Sequence, residues 1–212
     1  MKGIIFDLDG VIALTEDIHR EAFDLAFAGY KIDMSNYDWN KDFAGKGHRY
    51  IVDIVFGANP TNDRLIDLWV YWYQLIAKNK IKPVPGVIDY INSQSIPMII
   101  ATGSARKSAK IVLESLKLNL PLVSMEDAPN PKPDPGLFIL ASNRINIKPA
   151  DCVVFEDSIC GIRAAKIAGM KVIAVATTHL IELLRDENPD SIINDFTDLL
   201  KPNIIYPQFE ER

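Results

Sequence analysis

Two aspartates close the N-terminal run Ile4-Ile5-Phe6-Asp7-Leu8-Asp9-Gly10. A short apolar run bounded by acids and a glycine reads as a buried strand that ends abruptly. On an extended chain, residues two apart point to the same side, which would crowd Asp7 and Asp9 together. Crowded carboxylates repel, and each costs free energy to desolvate, so either a cation belongs between them or the pair is a solvated D-x-D turn. Gly10 permits the turn that follows. In open α/β sheets the ligand crevice lies at the carboxyl ends of the strands, where this pair falls.

Three later stretches end in reactive residue types. Met98-Ile99-Ile100-Ala101-Thr102-Gly103-Ser104 is an apolar strand followed by hydroxyls and a glycine. The helix after it carries Ala109, Val112, Leu113 and Leu116 as its apolar stripe. Hydroxyls and free N–H groups at a helix start can hold an anion, and Ser104 could equally cap the helix. Pro129-Asn130-Pro131-Lys132-Pro133-Asp134-Pro135 sets one lysine among four prolines. That stiff segment either aims the lysine stem or is a rigid surface connection. Val153-Val154-Phe155-Glu156-Asp157-Ser158 brings two more acids to a strand end. Asp157 or Ser158 could cap the next helix. Four acids at strand ends, Asp7, Asp9, Glu156 and Asp157, also suit Mg²⁺, a hard cation that binds substrate phosphate as well.

The elements that must position these residues fall into two textures. From Thr15 to about Ala28, apolar residues at Ile18, Ala22, Phe23, Leu25 and Ala26 have helical spacing. Asn36 to Gly47 reads as a loop into a helix, which Tyr50 to Phe56 continues until Gly57 stops it, and Arg64 to Lys78 as a strong helix. The stripe of that last helix reads as Leu65, Leu68, Trp69, Trp72, Leu75 and Ile76. Pro83-Val84-Pro85-Gly86 is the clearest boundary. Beyond it, short β-rich runs at 98–101, 122–123, 152–155 and 172–175 alternate with helical stretches at 87–94, 104–118, 137–145 and 158–168. Such alternation implies a doubly wound parallel α/β sheet built from right-handed crossovers. The domain expectation is an α/β core from 1–14 and 83–212, with 15–82 inserted as a small all-helical cap. Ile192 and Ile193 would add an edge strand, and the tail from Pro202 would be loosely held.

Composition sets bounds. The chain has 212 residues, 48% hydrophobic and 24% charged, the make-up of a packed globule. A net charge of -5 with no basic run argues against a nucleic-acid partner, and Lys78 to Lys82 reads as a solvated helix end. No secretory signal is visible, and the most apolar window, Leu68 to Ala77, is too short for a membrane span. Cys152 and Cys160 form no C-x-x-C pair and read as reduced thiols of a cytoplasmic protein. A zinc site would need more Cys and His than the chain has.

Taken in order, the motifs hhhDxDG, hhhT/S, K-P and hhhEDS resemble the haloacid dehalogenase-like hydrolase superfamily, within it the beta-phosphoglucomutase and sugar-phosphatase group. The resemblance covers essentially the whole chain. It implies a Rossmann-like sheet of order 3-2-1-4-5 with Asp7 on the middle strand. It also implies that Asp7 is a nucleophile forming an aspartyl-phosphate and that Asp9 is the general acid and base, with a backbone carbonyl on Mg²⁺. Asp157 would ligate Mg²⁺ directly and Glu156 would ligate it or support it. Thr102 with the Gly103 N–H, beside Ser104, would hold a phosphoryl oxygen, and Lys132 would bridge Asp7 and phosphate. His19 aligns with a histidine often found near the site on the first cap helix, and reads equally as a substrate contact or as a half-buried helix histidine. Gly45-Lys46-Gly47-His48-Arg49 resembles the family's substrate loop. Leu14 stands before Thr15 where the family often has an acid, with little effect expected on chemistry.

The resemblance allows two reactions. A mutase would need an Arg in the cap loop and a Lys on a cap helix for a second phosphate. Arg49 is offset by one from that pattern, and no Lys lies between Arg64 and Ala77. A monomeric phosphatase of a small phosphorylated metabolite, such as a sugar or polyol phosphate, is therefore preferred over the mutase. A phospho-receiver signalling domain shares clustered acids, Thr/Ser and Lys but has no helical insertion.

Overall fold

The computed structural model describes residues 1–30, 32 and 34–200. The tail from Pro202 lies outside the described residues. Strand β1 (Gly3–Phe6) is buried along its whole length. Alternation sends Ile4 and Phe6 to one face of the sheet and Ile5 to the other, and each face has its own apolar cluster. Each such side chain removed from water contributes about 1.5–3 kcal/mol. A strand buried on both faces explains the unbroken apolar run, because parallel sheets are covered by helices on both sides.

After β1 come β2 (Ala13–Leu14), β3 (Lys82–Pro83), β4 (Met98–Ala101), β5 (Leu122–Val123), β6 (Cys152–Glu156), β7 (Lys171–Val175) and β8 (Ser191–Ile193). The main sheet has the order β5-β4-β1-β6-β7-β8, and its neighbouring strands pair in parallel. The expected 3-2-1-4-5 order is its first five strands, with β1 central. The sixth is the edge strand foreseen at Ile192 and Ile193. One face is covered by α4 (Val87–Ser93) and α5 (Arg106–Leu116). The other is covered by α6 (Gly136–Arg144), α7 (Ile159–Ile167) and α8 (Ile181–Asp186). The six-residue α8 escaped the periodicity reading, being shorter than two turns.

The helical insertion holds α1 (Glu16–Phe27), a π-helical turn (Trp39–Phe43), α2 (His48–Phe56) and α3 (Asp63–Ala77). The π turn falls within the stretch read from the sequence as a loop leading into a helix. It begins at Asp38, whose carboxylate accepts from the Lys41 N–H. The buried stripe of α3 is Ile66, Trp69, Val70, Tyr73 and Ala77, not the one expected from spacing. Leu75 is exposed, as is Leu25 on α1. The helix is apolar over most of its girth, so two stripes fit the period, and packing on α1 selects the one with Trp69 and Tyr73. Trp69 meets Phe23 edge-on at 5.2 Å between ring centroids.

Strands β2 and β3 form a separate antiparallel ribbon, Ala13 opposite Pro83 and Leu14 opposite Lys82. The chain thus leaves for the helical cap and returns from it side by side. Two-residue strands are too short to show alternation, and this ribbon leaves no periodic pattern in the chain. Among the described residues, no helix is long and apolar enough to cross a membrane.

Candidate active site

Register brings the first acids together. Phe6 pairs with Phe155 across β1 and β6, so the next residues, Asp7 just past β1 and Glu156 at the end of β6, lie side by side. Asp7 still donates its N–H to the Phe155 carbonyl at 2.9 Å. Asp157 follows directly, and one oxygen from each of Asp7, Glu156 and Asp157 lies within 4.8 Å of the others. All three residues are buried. Lys132 reaches them from the proline-rich loop, its Nζ donating to Asp7 at 2.6 Å and to Glu156 at 3.1 Å. The ammonium also lies 4.8 Å from the centroid of the Phe138 ring, a favourable cation–π position.

Charge does not balance here. Burial raises the Asp7 pKa well above its ordinary value, Lys132 pulls it down, and Glu156 and Asp9 push it up again. Burial likewise raises Asp157, with Glu156 and then Asp7 adding to the effect. Neither carboxylate oxygen of Asp157 has a hydrogen-bond partner among the described residues. Buried acceptors are almost always satisfied. The space beside this carboxylate is kept by Gly10, whose φ of +75° favours glycine and whose added Cβ would overlap Asp157. An all-oxygen donor set with net negative charge and one unpartnered carboxylate fits a hard divalent cation, held by Asp7, Asp157 and Glu156.

Glu156 is the best anchored of the three. It accepts from Lys132, from the Ser158 hydroxyl at 2.7 Å and from the Asp157 N–H at 3.1 Å. Ser158 in turn caps α7 by accepting from the Gly161 N–H at 3.0 Å. The first turn of α7 lies against Glu156 so closely that a Cβ on Gly161 would overlap its carboxylate.

Asp9 is held quite differently. Asp7 and Asp9 line one pocket, as expected, but both lie past the end of β1 in a turn rather than on the strand. One Asp9 oxygen accepts from the Thr15 hydroxyl at 2.6 Å and lies 3.0 Å from His19 Nε2. The other accepts from the Ser104 hydroxyl at 2.6 Å and from Thr102 at 3.4 Å. Burial works against its charge, but His19 and these hydroxyls win and hold the Asp9 pKa below the usual carboxylate range.

The pocket is lined by Asp7, Asp9, Thr102, Gly103, Ser104 and Lys132 from the sheet side, and by His19, Gly45, Lys46, Gly47 and His48 from the cap. Arg49 is not brought there. It pairs with Asp63 at the edge of a separate cavity, because α2 turns its side chain toward the start of α3. His48 is present, but both its ring nitrogens contact protein: the Ala105 N–H at 2.9 Å and His19 Nδ1 at 3.3 Å. Trp69, read from sequence as cap core, is buried there and also walls the pocket.

Three residues were missed. Thr15 binds Asp9, so the hydroxyl matters more than the missing acid before it suggested. Glu16 is drawn into the pocket wall, accepting from the Gly45 N–H at 3.0 Å and from the Trp39 indole at 3.3 Å. His179 donates to the Asp157 carbonyl at 3.1 Å. A hydroxyl and an acid at a helix start read as ordinary capping in sequence, and His179 stands in no motif. The cap loop touches the sheet side at two glycines: a Cβ on Gly45 would overlap Ser158, and one on Gly47 would lie 2.5 Å from the Gly103 carbonyl oxygen.

Residues 4–175 match the family model described as haloacid dehalogenase-like hydrolase. A phosphorylated carbohydrates phosphatase of Thermotoga maritima is 30% identical, over 81% of this chain and 83% of its own. The fructose-1-phosphate phosphatase YqaB of Escherichia coli is also 30% identical, over 82% of this chain and 95% of its own. Among solved structures, a beta-phosphoglucomutase from Clostridium difficile superposes with a TM-score of 0.78 at 25% identity, covering 94% of this chain and 93% of that one.

Proposed function

Because the chain belongs to the haloacid dehalogenase-like hydrolases, we propose that it is a Mg²⁺-dependent phosphatase of a small phosphorylated sugar or polyol. The observation that carries this reading is the buried Lys132 bridge between Asp7 and Glu156, set beside the unpartnered Asp157. A carboxylate attacks an anionic phosphate only where cations offset the repulsion. Lys132 supplies one positive charge. Bound at Asp7, Asp157 and Glu156, Mg²⁺ would supply the rest by neutralising charge on the phosphoryl oxygens.

The chain's own residues then divide the work. An Asp7 oxygen attacks phosphorus while the bond from phosphorus to the sugar oxygen breaks. Asp9, ionised in the protein alone, takes a proton from solvent as the phosphate anion enters and gives it to that leaving oxygen, and the alcohol departs. An approaching phosphate anion raises the Asp9 pKa and helps it hold that proton. In the second half, Asp9 takes a proton from water, whose oxygen attacks phosphorus and frees Asp7. Thr102 and the Gly103 N–H would hold a phosphoryl oxygen. The relatives that are phosphatases of phosphorylated carbohydrates support the substrate class.

A mutase must grip a second phosphate in the same pocket. Arg49, the cap arginine nearest that role, is paired with Asp63 outside it. The test is phosphate release from a panel of sugar and polyol phosphates, with and without Mg²⁺. Release that stops on chelation and in Asp7→Asn is expected. Interconversion of sugar phosphate isomers with little free phosphate would replace the phosphatase reading by the mutase.

A further inference from the structure

The two pocket histidines look available to substrate in the sequence, but hydrogen bonds inside the protein engage both rings. The Ala105 N–H donates to His48 Nδ1 at 2.9 Å. A nitrogen that accepts carries no proton, so the His48 proton sits on Nε2. That Nε2 lies 3.3 Å from His19 Nδ1, which must therefore accept. The His19 proton is then on Nε2, which lies 3.0 Å from Asp9 Oδ1. One backbone donor thus dictates every proton position down to the carboxylate.

We infer that His48 is a positioning residue, passing a directed hydrogen-bond chain from the start of α5 through His19 to orient Asp9, and doing so only while the cap lies on the sheet domain. Ala105 and Asp9 belong to the sheet domain, whereas His48 and His19 sit on cap helices α2 and α1. Both outer links therefore cross between the two. Lifting the cap breaks them together and leaves Asp9 with its hydroxyl partners alone.

The rings are fixed in place. The Tyr73 ring stacks on His19 at 4.5 Å between centroids, and Trp69 meets His48 edge-on at 4.4 Å. The Trp69 indole N–H donates to the His19 carbonyl at 3.0 Å. Burial, with His19 alongside, lowers the His48 pKa to about 3, so this ring stays neutral. Burial opposes a charge on His19 too, but Asp9 and then Glu16 outweigh it and raise the His19 pKa above its ordinary value. The extra proton would have to sit on Nδ1 and face the His48 N–H, so the neutral His19 is the form this geometry satisfies.

The kinetic part rests on Asp9 being the proton donor to the leaving oxygen, and the experiment separates the two claims. Nitrogen-15 NMR of the histidines in the Mg²⁺-loaded wild-type protein reads the tautomers whatever the activity is. Both rings are expected neutral with the proton on Nε2; a His48 proton on Nδ1, or a charge on either ring, overturns the relay. For kinetics, His48→Phe keeps ring volume and removes both links, and His48→Gln keeps an amide donor toward His19. In His48→Phe, kcat/KM for fructose 1-phosphate should fall about tenfold, the lower end of what loss of a ligand-orienting partner brings. For p-nitrophenyl phosphate, whose phenolate leaves without a proton, it should change little, and His48→Gln should recover part of the loss. Equal losses on the two substrates, or no loss on either, would assign His48 a purely structural role. An inactive wild type with the expected tautomers would sink the phosphatase reading and leave the relay standing.

Discussion

Two carboxylates that share a pocket live in opposite states. Around Asp7 there are two other buried acids, one of them an unpartnered carboxylate, and one lysine. Around Asp9 there are two short hydroxyl hydrogen bonds and a histidine, leaving no deficit. The first environment is built by the sheet and the loops at its carboxyl edge. The second is shared between the sheet side and the cap. A site that takes up a guest keeps charge uncompensated until the guest arrives, and a site that orients a proton is completed by the protein itself.

The sharpest way to break this contrast is to change charge on the Asp7 side in each direction. Asp7→Asn should lower turnover roughly 10⁴-fold, as loss of a nucleophile does, yet leave the metal-free protein as stable as wild type or more so. Lys132→Met should also abolish turnover, and should cost about 3–5 kcal/mol of stability, because it strands buried anions. Urea denaturation of both variants checks the signs. If Asp7→Asn destabilises as much as Lys132→Met, the surplus of negative charge is not real.

Metal uptake gives the next effect. Mg²⁺ at about 100 times its dissociation constant should stabilise the wild type by about 2.7 kcal/mol. Asp157→Asn should lose most of that shift, whereas Ser104→Ala, on the Asp9 side, should keep it. Thermal melts with and without Mg²⁺ decide this. Gly161→Ala should lower kcat roughly 10- to 100-fold, since the new methyl displaces Glu156 and loosens Lys132; an active variant would show that Glu156 can move freely.

On the Asp9 side the prediction concerns pH. The folded protein keeps His48 neutral down to about 3, against an ordinary value of 6.5. Between these values the unfolded chain binds the extra proton, so stability falls as pH drops, by up to about 1.4 kcal/mol per pH unit. Denaturation at about pH 7 and about pH 5 should show a larger loss for the wild type than for His48→Phe. The smallest effect belongs to Arg49→Ala. Its pair with the exposed Asp63 is worth at most about 1 kcal/mol, and phosphatase turnover should change by less than about threefold if no second phosphate is bound. A large loss would reopen the mutase.

What the sequence alone determined is the part of the protein written in short contiguous runs. Strands such as Ile4 to Phe6 and Cys152 to Phe155 are apolar because both faces are covered, and their order around β1 was implied by the family that the ordered motifs resemble. The acids, hydroxyls and lysine at the ends of those runs were legible because each follows its strand or its prolines directly. The tertiary structure alone decided where side chains meet across long separations. It chose the Trp69–Tyr73 stripe of α3 over its neighbour, sent Arg49 to Asp63, and drew Thr15 and Glu16 into the pocket. It also spent both nitrogens of His48 inside the protein. A helix period fixes which residues share a face but not which face is covered, and a histidine's partners are set by whatever packs against it.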